Sequence, residues 1–539
     1  MEQMFRSPEQ ANFHQRLLEH MRSGDAPLLL EGTTGLGKTR AYLAAAAEGI
    51  ASGKKIALVL PTHMLIEQLL NSEDLKVTIP STQTVVAFLP RRFFETVSDY
   101  REHKLRATSA DLMLCTSASM IIDQRLKGEY HGGSARDYLI FDEADQLPEA
   151  AALQSDCEII AREFADLDLK VESVHQALSA LLKKKNLPSE LRGRAVLIQE
   201  EAQESAWFKT CGVKDDGGIM LYHKMPGRLM KRIANQSNVA FISATLSIGA
   251  RFDDFKRSMG ILAESSLSTS IEPARHGFLN FRVSDLAVDS AEWLTSVMQV
   301  IQDAPTPCLV ATSSHRLAQQ LAGLIVDATV RSEAETASAA AARLNSSQIL
   351  IAAGAWAGMD TQVRWRSIVV PRIPFERPIV LDDQVESSYL HTRNTAIRRM
   401  RQVIGRGLRT PDAVCEVFIL DSRFGSVSSF VPRRFFEAWE KKGFLEGQRV
   451  ELTLSRAERD PSVRKSALRH YGRVCMGCGF QPKVDSQLDV HHLNPIASGE
   501  ERVTTMDDVA VLCANCHRLV HTSKPPLQIA RLKELHAAE

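Results

Sequence analysis

The sequence predicts an α/β fold: two parallel-sheet domains in tandem with a helical insertion, then a small zinc-stapled unit. Three observations predict it. The apolar stretch Leu28-Leu29-Leu30 runs into a glycine-rich turn and then into the helix-favouring residues 41–48, a strand, phosphate-loop, helix unit. Short apolar strands recur at 56–60, 138–141, 239–242, 308–311, 349–352, 367–370 and 417–420 with helix-like sequence between many of them, the alternation expected of parallel sheets. Four of the nine cysteines form two Cys-x-x-Cys pairs near the end of the sequence.

Two series of strands divide near 248–272, which predicts a first domain over 1–250, a second over 268–444 and a ligand cleft between them. Residues 149–234 turn charged and helix-rich and are expected to form an inserted helical subdomain. The alanine run 339–342 reads as a surface helix. Residues 445–465 read as a polar linker and 466–539 as a last compact unit. A chain of 539 residues has room for three or four such domains.

Composition excludes more than it names. Apolar content of 44% and charged content of 24% match globular usage, against long disorder or a fibrous class. Lys plus Arg equals Asp plus Glu at 65 each, so nucleic acid must be met by local basic surface. The first residues lack the regions of a signal peptide and no apolar run is long enough to span a membrane, so a cytoplasmic protein without membrane contact is expected. Cys115, Cys157, Cys211, Cys308 and Cys415 are scattered and read as buried small hydrophobes.

The segment Gly32-Thr33-Thr34-Gly35-Leu36-Gly37-Lys38-Thr39 has phosphate-loop spacing in the strand-to-helix setting that the chemistry requires. Backbone amides around Gly32, Gly35 and Gly37 can approach the phosphates of ATP. Lys38 would reach the β and γ phosphates, and Thr39 would ligate Mg²⁺. A second strand, Tyr138-Leu139-Ile140-Phe141, leads into Asp142-Glu143-Ala144-Asp145. Asp142 would hold Mg²⁺, and Glu143 would orient and deprotonate the attacking water. A structural turn and an acidic surface turn are the plainer readings of these two segments, and each is weakened by the presence of the other.

From here the chain resembles the DEAD/DEAH-type helicases of superfamily 2, with their tandem RecA-like domains. Leu60-Pro61-Thr62 is similar to motif Ia, Cys115-Thr116-Ser117 to a DNA-backbone motif and Ser243-Ala244-Thr245-Leu246 to motif III. Gly354-Ala355-Trp356-Ala357-Gly358-Met359-Asp360 resembles motif V, and Gln402-Val403-Ile404-Gly405-Arg406-Gly407-Leu408-Arg409 resembles motif VI. The resemblance implies that Asp360 and Gln402 serve the ATP site and that Arg406 and Arg409 meet the γ phosphate when the cleft closes. Arg6 and Gln10 resemble an adenine-reading motif. Thr62, Thr116 and Ser117 are the implied DNA phosphate contacts, and Trp356 is either a base-stacking or a core residue.

Motif V, Pro371-Arg372-Ile373-Pro374-Phe375 and Asp421-Ser422-Arg423-Phe424 are similar to the DinG and XPD branch, which implies 5′ to 3′ movement on single-stranded DNA. Members usually carry four cysteines around an iron–sulfur cluster between the phosphate loop and the acidic box. Only Cys115 lies there, so no cluster is expected. A cluster-free DinG-like chain resembles the CasDinG helicases of type IV CRISPR systems, some with an HNH fusion. That implies forked or R-loop DNA and a guide-RNA effector complex as partners.

Cys475, Cys478, Cys513 and Cys516 suit tetrahedral structural zinc in a unit too small for a large core. Val490-His491-His492-Leu493-Asn494-Pro495 and His517-Arg518-Leu519-Val520-His521 accompany them. Together they resemble the McrA-like HNH, or ββα-metal, nucleases. The resemblance implies His492 as general base and His491, His517 and His521 as ligands of a divalent nuclease metal. Asp508 stands where the central Asn is usual.

The leading expectation is therefore an ATP-dependent DNA helicase fused to an HNH endonuclease. An ATP-switched adaptor whose zinc unit only binds DNA is the rival from another class, and an RNA helicase is a third reading.

Overall fold

The computed structural model describes residues 5–133, 136–169, 171–203, 208–262, 266–273, 277–284, 286–356, 359, 361–408, 410, 412–428, 461–493, 505–523 and 526–537. They fall into two compact units, 1–450 and 451–539.

In the first unit, β1 (Leu28–Gly32), β2 (Ile56–Leu60), β3 (Val85–Ala87), β4 (Leu112–Thr116) and β5 (Tyr138–Phe141) begin a parallel sheet. An insertion then adds β6 (Cys157–Ile159), β7 (Lys209–Val213) and β8 (Ile219–His223), after which β9 (Val239–Ser243) and β10 (Leu267–Ile271) return to the sheet. Its order is β10-β1-β9-β5-β2-β4-β3. Strands β1, β2, β4, β5 and β9 are buried along their whole length, because helices cover both faces of a parallel sheet. This is why they read as unbroken apolar runs.

The second domain contains β11 (Phe278–Val283), β12 (Cys308–Thr312), β13 (Thr329–Val330), β14 (Ile349–Ala353), β15 (Ser367–Val370), the hairpin β16 (Val380–Leu381) and β17 (Gln384–Val385), and β18 (Val414–Ile419). Its parallel sheet runs β11-β18-β15-β12-β14-β13.

Three expectations change. Strand β10, assigned from sequence to the second domain, is the edge of the first sheet, in register from Leu28↔Leu267 to Gly32↔Ile271. Only Ile271 of its five residues is buried, so its edge pattern gave no apolar run to read. The insertion is helical only in part: Val174–Leu182 and Ser189–Gln203 belong to a unit that also holds the antiparallel sheet β6-β8-β7. Those strands bury one face each, and their short alternating pattern is easily lost in charged surroundings. The alanine run is a helix, Ala337–Ala342, but Ala337, Ala340 and Ala341 are buried in the second domain's core.

The helix Tyr389–Gly405, which carries the first half of motif VI, docks the second domain on the first. Arg401 pairs with Glu31 of β1 at 3.2 Å, both nearly buried, and also donates to the carbonyls of Ser247 and Ala244. Glu31 further accepts Ser247 N at 2.6 Å, Ser247 Oγ at 2.8 Å and Ser270 Oγ at 3.3 Å. Arg398 donates to Thr245 O and pairs with Asp254 at 2.6 Å. A second tie joins hairpin β16–β17 to the insertion: Asp382 N donates to Val213 O at 2.8 Å and Val213 N to Asp382 Oδ1 at 3.0 Å. Lys224 and Glu386 pair beside it at 2.7 Å.

The second unit contains the helix Pro461–Tyr471, β19 (Leu488–His492) antiparallel to β20 (Val509–Cys513), and the helices Ala514–Val520 and Ile529–Ala537. Residues 461–465 of the expected linker already belong to the first of these helices, while 445–460 lie outside the described residues. The core is small, built on Ala467, Leu488, Val490, Val511, Val520 and Leu532.

Arg401→Ala strands the Glu31 carboxylate in the interface. Breaking a buried pair costs about 3–5 kcal/mol, so the melting transition of residues 1–450 should fall measurably in calorimetry. A melting profile equal to wild type would show that the pair does not hold the domains.

Candidate functional site

The phosphate loop leaves β1 at Gly32, where an added Cβ would meet the Phe13 ring at 2.6 Å. Gly35 and Gly37 have φ of 87° and 80°, a region that suits glycine and turns the chain into the helix Lys38–Ala51. Gln10 is fully buried. Its Nε2 donates to Gly37 O at 2.7 Å and its Oε1 accepts Arg6 N at 2.7 Å. The amide thus ties the phosphate loop at Gly37 to the backbone of Arg6 just before the first helix.

Asp142 ends β5 with its carboxylate between the Tyr42 hydroxyl, which donates to Oδ2 at 3.0 Å, and its neighbour's amide, Glu143 N to Oδ1 at 2.9 Å. Burial, then the neighbouring Glu143, pushes the Asp142 carboxyl up to about 7 against the pull of Lys38. A cation bound there would relieve that cost, so Asp142 and Thr39 fit a Mg²⁺ site. Glu143 sits at a φ of 47° and accepts Ser243 Oγ at 3.3 Å. Asp145 accepts Ser243 Oγ at 2.6 Å and Thr245 Oγ1 at 2.7 Å, and Gln402 Nε2 donates to it at 2.9 Å. Burial followed by Glu143 raises Asp145 to about 6. Motif III, the acidic box and motif VI therefore form one hydrogen-bonded cluster.

Of the two motif VI arginines, Arg406 is buried with its guanidinium on the carbonyls of Ala355, Trp356 and Met359, within its own domain. Arg409 lies outside the described residues, as does Asp360 of motif V. The end of the motif VI helix nevertheless touches the phosphate loop: a Cβ on Gly405 would lie 2.7 Å from Thr34 Oγ1.

A cavity of about 420 Å³ is walled by the first domain, the insertion and the second domain. Thr62 and Ser117 line it, with Trp356, Arg399 and Lys224. Thr62 also caps a helix by accepting Leu65 N at 3.3 Å. Thr116 is buried, its hydroxyl capping the next helix through Ser119 N at 3.1 Å, so this side chain does not face the cavity. Trp356 is half-buried against the second core with the Arg399 guanidinium 5.3 Å from its ring centre.

In the second unit the ligand atoms of Cys475, Cys478, Cys513 and Cys516 all lie within 4.8 Å of one another. Cys513 N donates to Cys475 Sγ at 3.2 Å, and His536 Nε2 lies 3.3 Å from Cys516 Sγ. Backbone donors of this kind favour a thiolate at Cys475, and four sulfurs so close together fit tetrahedral zinc. His491, His517 and His521 form a second group on the same 4.8 Å criterion. Asp489 holds His517 Nδ1 at 3.1 Å, leaving its buried Nε2 without a hydrogen-bond partner among the described residues, an arrangement that fits a metal ligand. His492 follows His491 on β19, and strand alternation sends it to the opposite face. The Asp508 carboxylate caps its own turn by accepting Thr505 N at 2.8 Å and Thr505 Oγ1 at 2.7 Å. The Asp508 backbone carbonyl accepts Leu493 N at 2.9 Å, just after His492.

The sequence reading missed Glu31, Arg401, Arg398, Tyr42, Asp489 and His536. Asp489 alone had a readable signal, lying two residues before His491 on the same strand face. The five scattered cysteines lie in the folded cores, with Cys211 only half-buried. Burial pushes Cys115, Cys211 and Cys415 to about 12 and Cys308 to about 11, which keeps them as thiols.

Residues 4–170 match the family model of the type III restriction enzyme res subunit, 295–442 the helicase C-terminal domain and 475–523 the HNH endonuclease. Over 88 residues the chain is 34% identical to the type IV methyl-directed restriction enzyme EcoKMcrA of Escherichia coli (strain K12), a stretch that covers 15% of this chain and 31% of that protein. A solved XPD helicase shares the fold at a TM-score of 0.56 and 15% identity, over 80% of this chain and 98% of its own. S. tokodaii Xpd4 does so at 0.50 and 12%, over 80% and 97%. The fold is thus α/β with two RecA-like helicase domains resembling XPD. The chain thus carries regions that match helicase family models, in a fold like that of XPD, followed by a region that matches the HNH endonuclease model and holds a cysteine cluster that could bind zinc.

Cys513→Ser removes one of four metal ligands from a unit with a small core. Structural zinc in small fingers is worth about 10–16 kcal/mol of apparent folding energy. The variant should release its zinc and lose the ββα fold, measured by a zinc indicator and circular dichroism of residues 451–539. A folded unit that retains zinc would overturn this assignment.

Proposed function

We propose that the chain is an ATP-dependent 5′ to 3′ translocase and helicase on single-stranded and forked DNA, working without an iron–sulfur cluster, whose HNH unit cuts the DNA it engages. The observation that carries this reading is the helix Tyr389–Gly405. Through Arg398, Arg401 and Gln402 it is bonded to motif III and the acidic box, and through Arg399 it reaches the cavity lined by Thr62 and Ser117. One rigid element thus touches both the nucleotide cleft and the candidate DNA path, as conversion of hydrolysis into movement requires.

In the cleft, Lys38 neutralises the β and γ phosphates and Glu143 orients and deprotonates water. Mg²⁺ held by Thr39 and Asp142 supplies further charge stabilisation when bound. Arg406 acts in the closed state only by exchanging its three carbonyl partners for the γ phosphate, and Arg409 and Asp360 complete the set. Gln402 joins the ATP site through Asp145. Thr62 and Ser117 hold the DNA backbone, with Thr116 contributing as a cap.

In the HNH unit His492 takes the proton from the attacking water, and His491, His517 and His521 would hold a divalent ion, which would supply charge stabilisation at the scissile phosphate when bound. Since no groove-reading motif is found, specificity comes from a partner. The resemblance to type IV CRISPR helicases supports a guide-RNA effector complex and an R-loop substrate.

The two activities should separate. Lys38→Ala should abolish DNA-stimulated ATP hydrolysis while leaving metal-dependent cutting, and His492→Ala should abolish cutting while leaving ATPase, unwinding and zinc content. The assay is ATP turnover, fork unwinding and cleavage of single-stranded, duplex and forked DNA with Mg²⁺, Mn²⁺, Ni²⁺ or Zn²⁺. No cutting by wild type under any of these conditions would leave the zinc unit as a binding module.

A further inference from the structure

The phosphate-loop pattern ends at Thr39, yet the helix it opens places a polar group one turn further on. Tyr42 is 1% exposed, surrounded by an apolar core that includes Leu43, Leu58 and Leu60. A phenylalanine would satisfy that core. The hydroxyl instead donates to Asp142 Oδ2 at 3.0 Å, across 100 residues of sequence.

With Oδ2 held by Tyr42 and Oδ1 by Glu143 N, the Asp142 carboxylate cannot rotate. That carboxylate is fixed before a metal arrives, so binding does not have to order it.

We propose that Tyr42 is a positioning residue of the Mg²⁺ site of Thr39 and Asp142, acting through Asp142. This rests on the reading of those two residues as the metal's ligands. The test is Tyr42→Phe, which removes one oxygen and keeps the ring. Affinity for a fluorescent ADP analogue is measured across a Mg²⁺ titration, and ATP turnover is followed in parallel.

Loss of an outer-shell partner of a metal ligand lowers metal affinity roughly 10–100-fold. The Mg²⁺ concentration for half-maximal tightening of nucleotide should rise by that factor, with metal-free nucleotide affinity and melting temperature close to wild type. An unchanged Mg²⁺ dependence overturns the proposal, and so does equal weakening with and without Mg²⁺, which marks a packing role. Thr39→Ala and Asp142→Asn serve as the reference pair. If neither shifts the Mg²⁺ dependence, the reading of the site itself fails, independently of Tyr42.

Discussion

A single buried carboxylate organises the larger unit. Glu31 lies at the end of β1, 2% exposed, one residue before the phosphate loop. A charge in that position must be matched, and Arg401 supplies the match from the second domain with Ser247 and Ser270 completing the set. Because Ser247 follows motif III and Arg401 precedes Gln402, satisfying one carboxylate brings three separated segments together at the mouth of the cleft. The cluster of Asp145, Ser243, Thr245 and Gln402 is built on that alignment.

The smaller unit answers to a different constraint. With few apolar side chains to bury, its two strands and the helix Ala514–Val520 are clamped by cysteines, and the histidine group is mounted on the same strand and helix. Cys513 closes β20 and opens that helix, so fold and candidate chemistry share one short stretch of backbone.

What could be read from sequence follows from how locally each feature is encoded. The phosphate loop, the acidic box and the paired cysteines are fixed by spacings of a few residues, and the buried strands by unbroken apolar runs. Glu31 and Arg401 are 370 residues apart, and nothing near either announces the other. Tyr42 stands in an alanine-rich helix, where nothing in the neighbouring sequence marks the role of its hydroxyl. Gln10 shows the converse: a local pattern suggested a ligand contact, and the fold adds a structural bond from its amide to Gly37 and one from Arg6 that no local pattern announces. The mixed insertion and β10 escaped because strands buried on one face carry half the signal of strands buried on two.

The hairpin β16–β17 has a mechanical meaning. The second domain grips the first through the helix Tyr389–Gly405 and grips the first domain's insertion through Asp382 and Val213, so it is held at two separate points. A body held at two points cannot pivot freely about either. Any rotation at the nucleotide cleft must be taken up by bending the insertion or by parting the hairpin. The insertion is thereby a spring in parallel with the cleft, and its stiffness sets how far the two domains can separate.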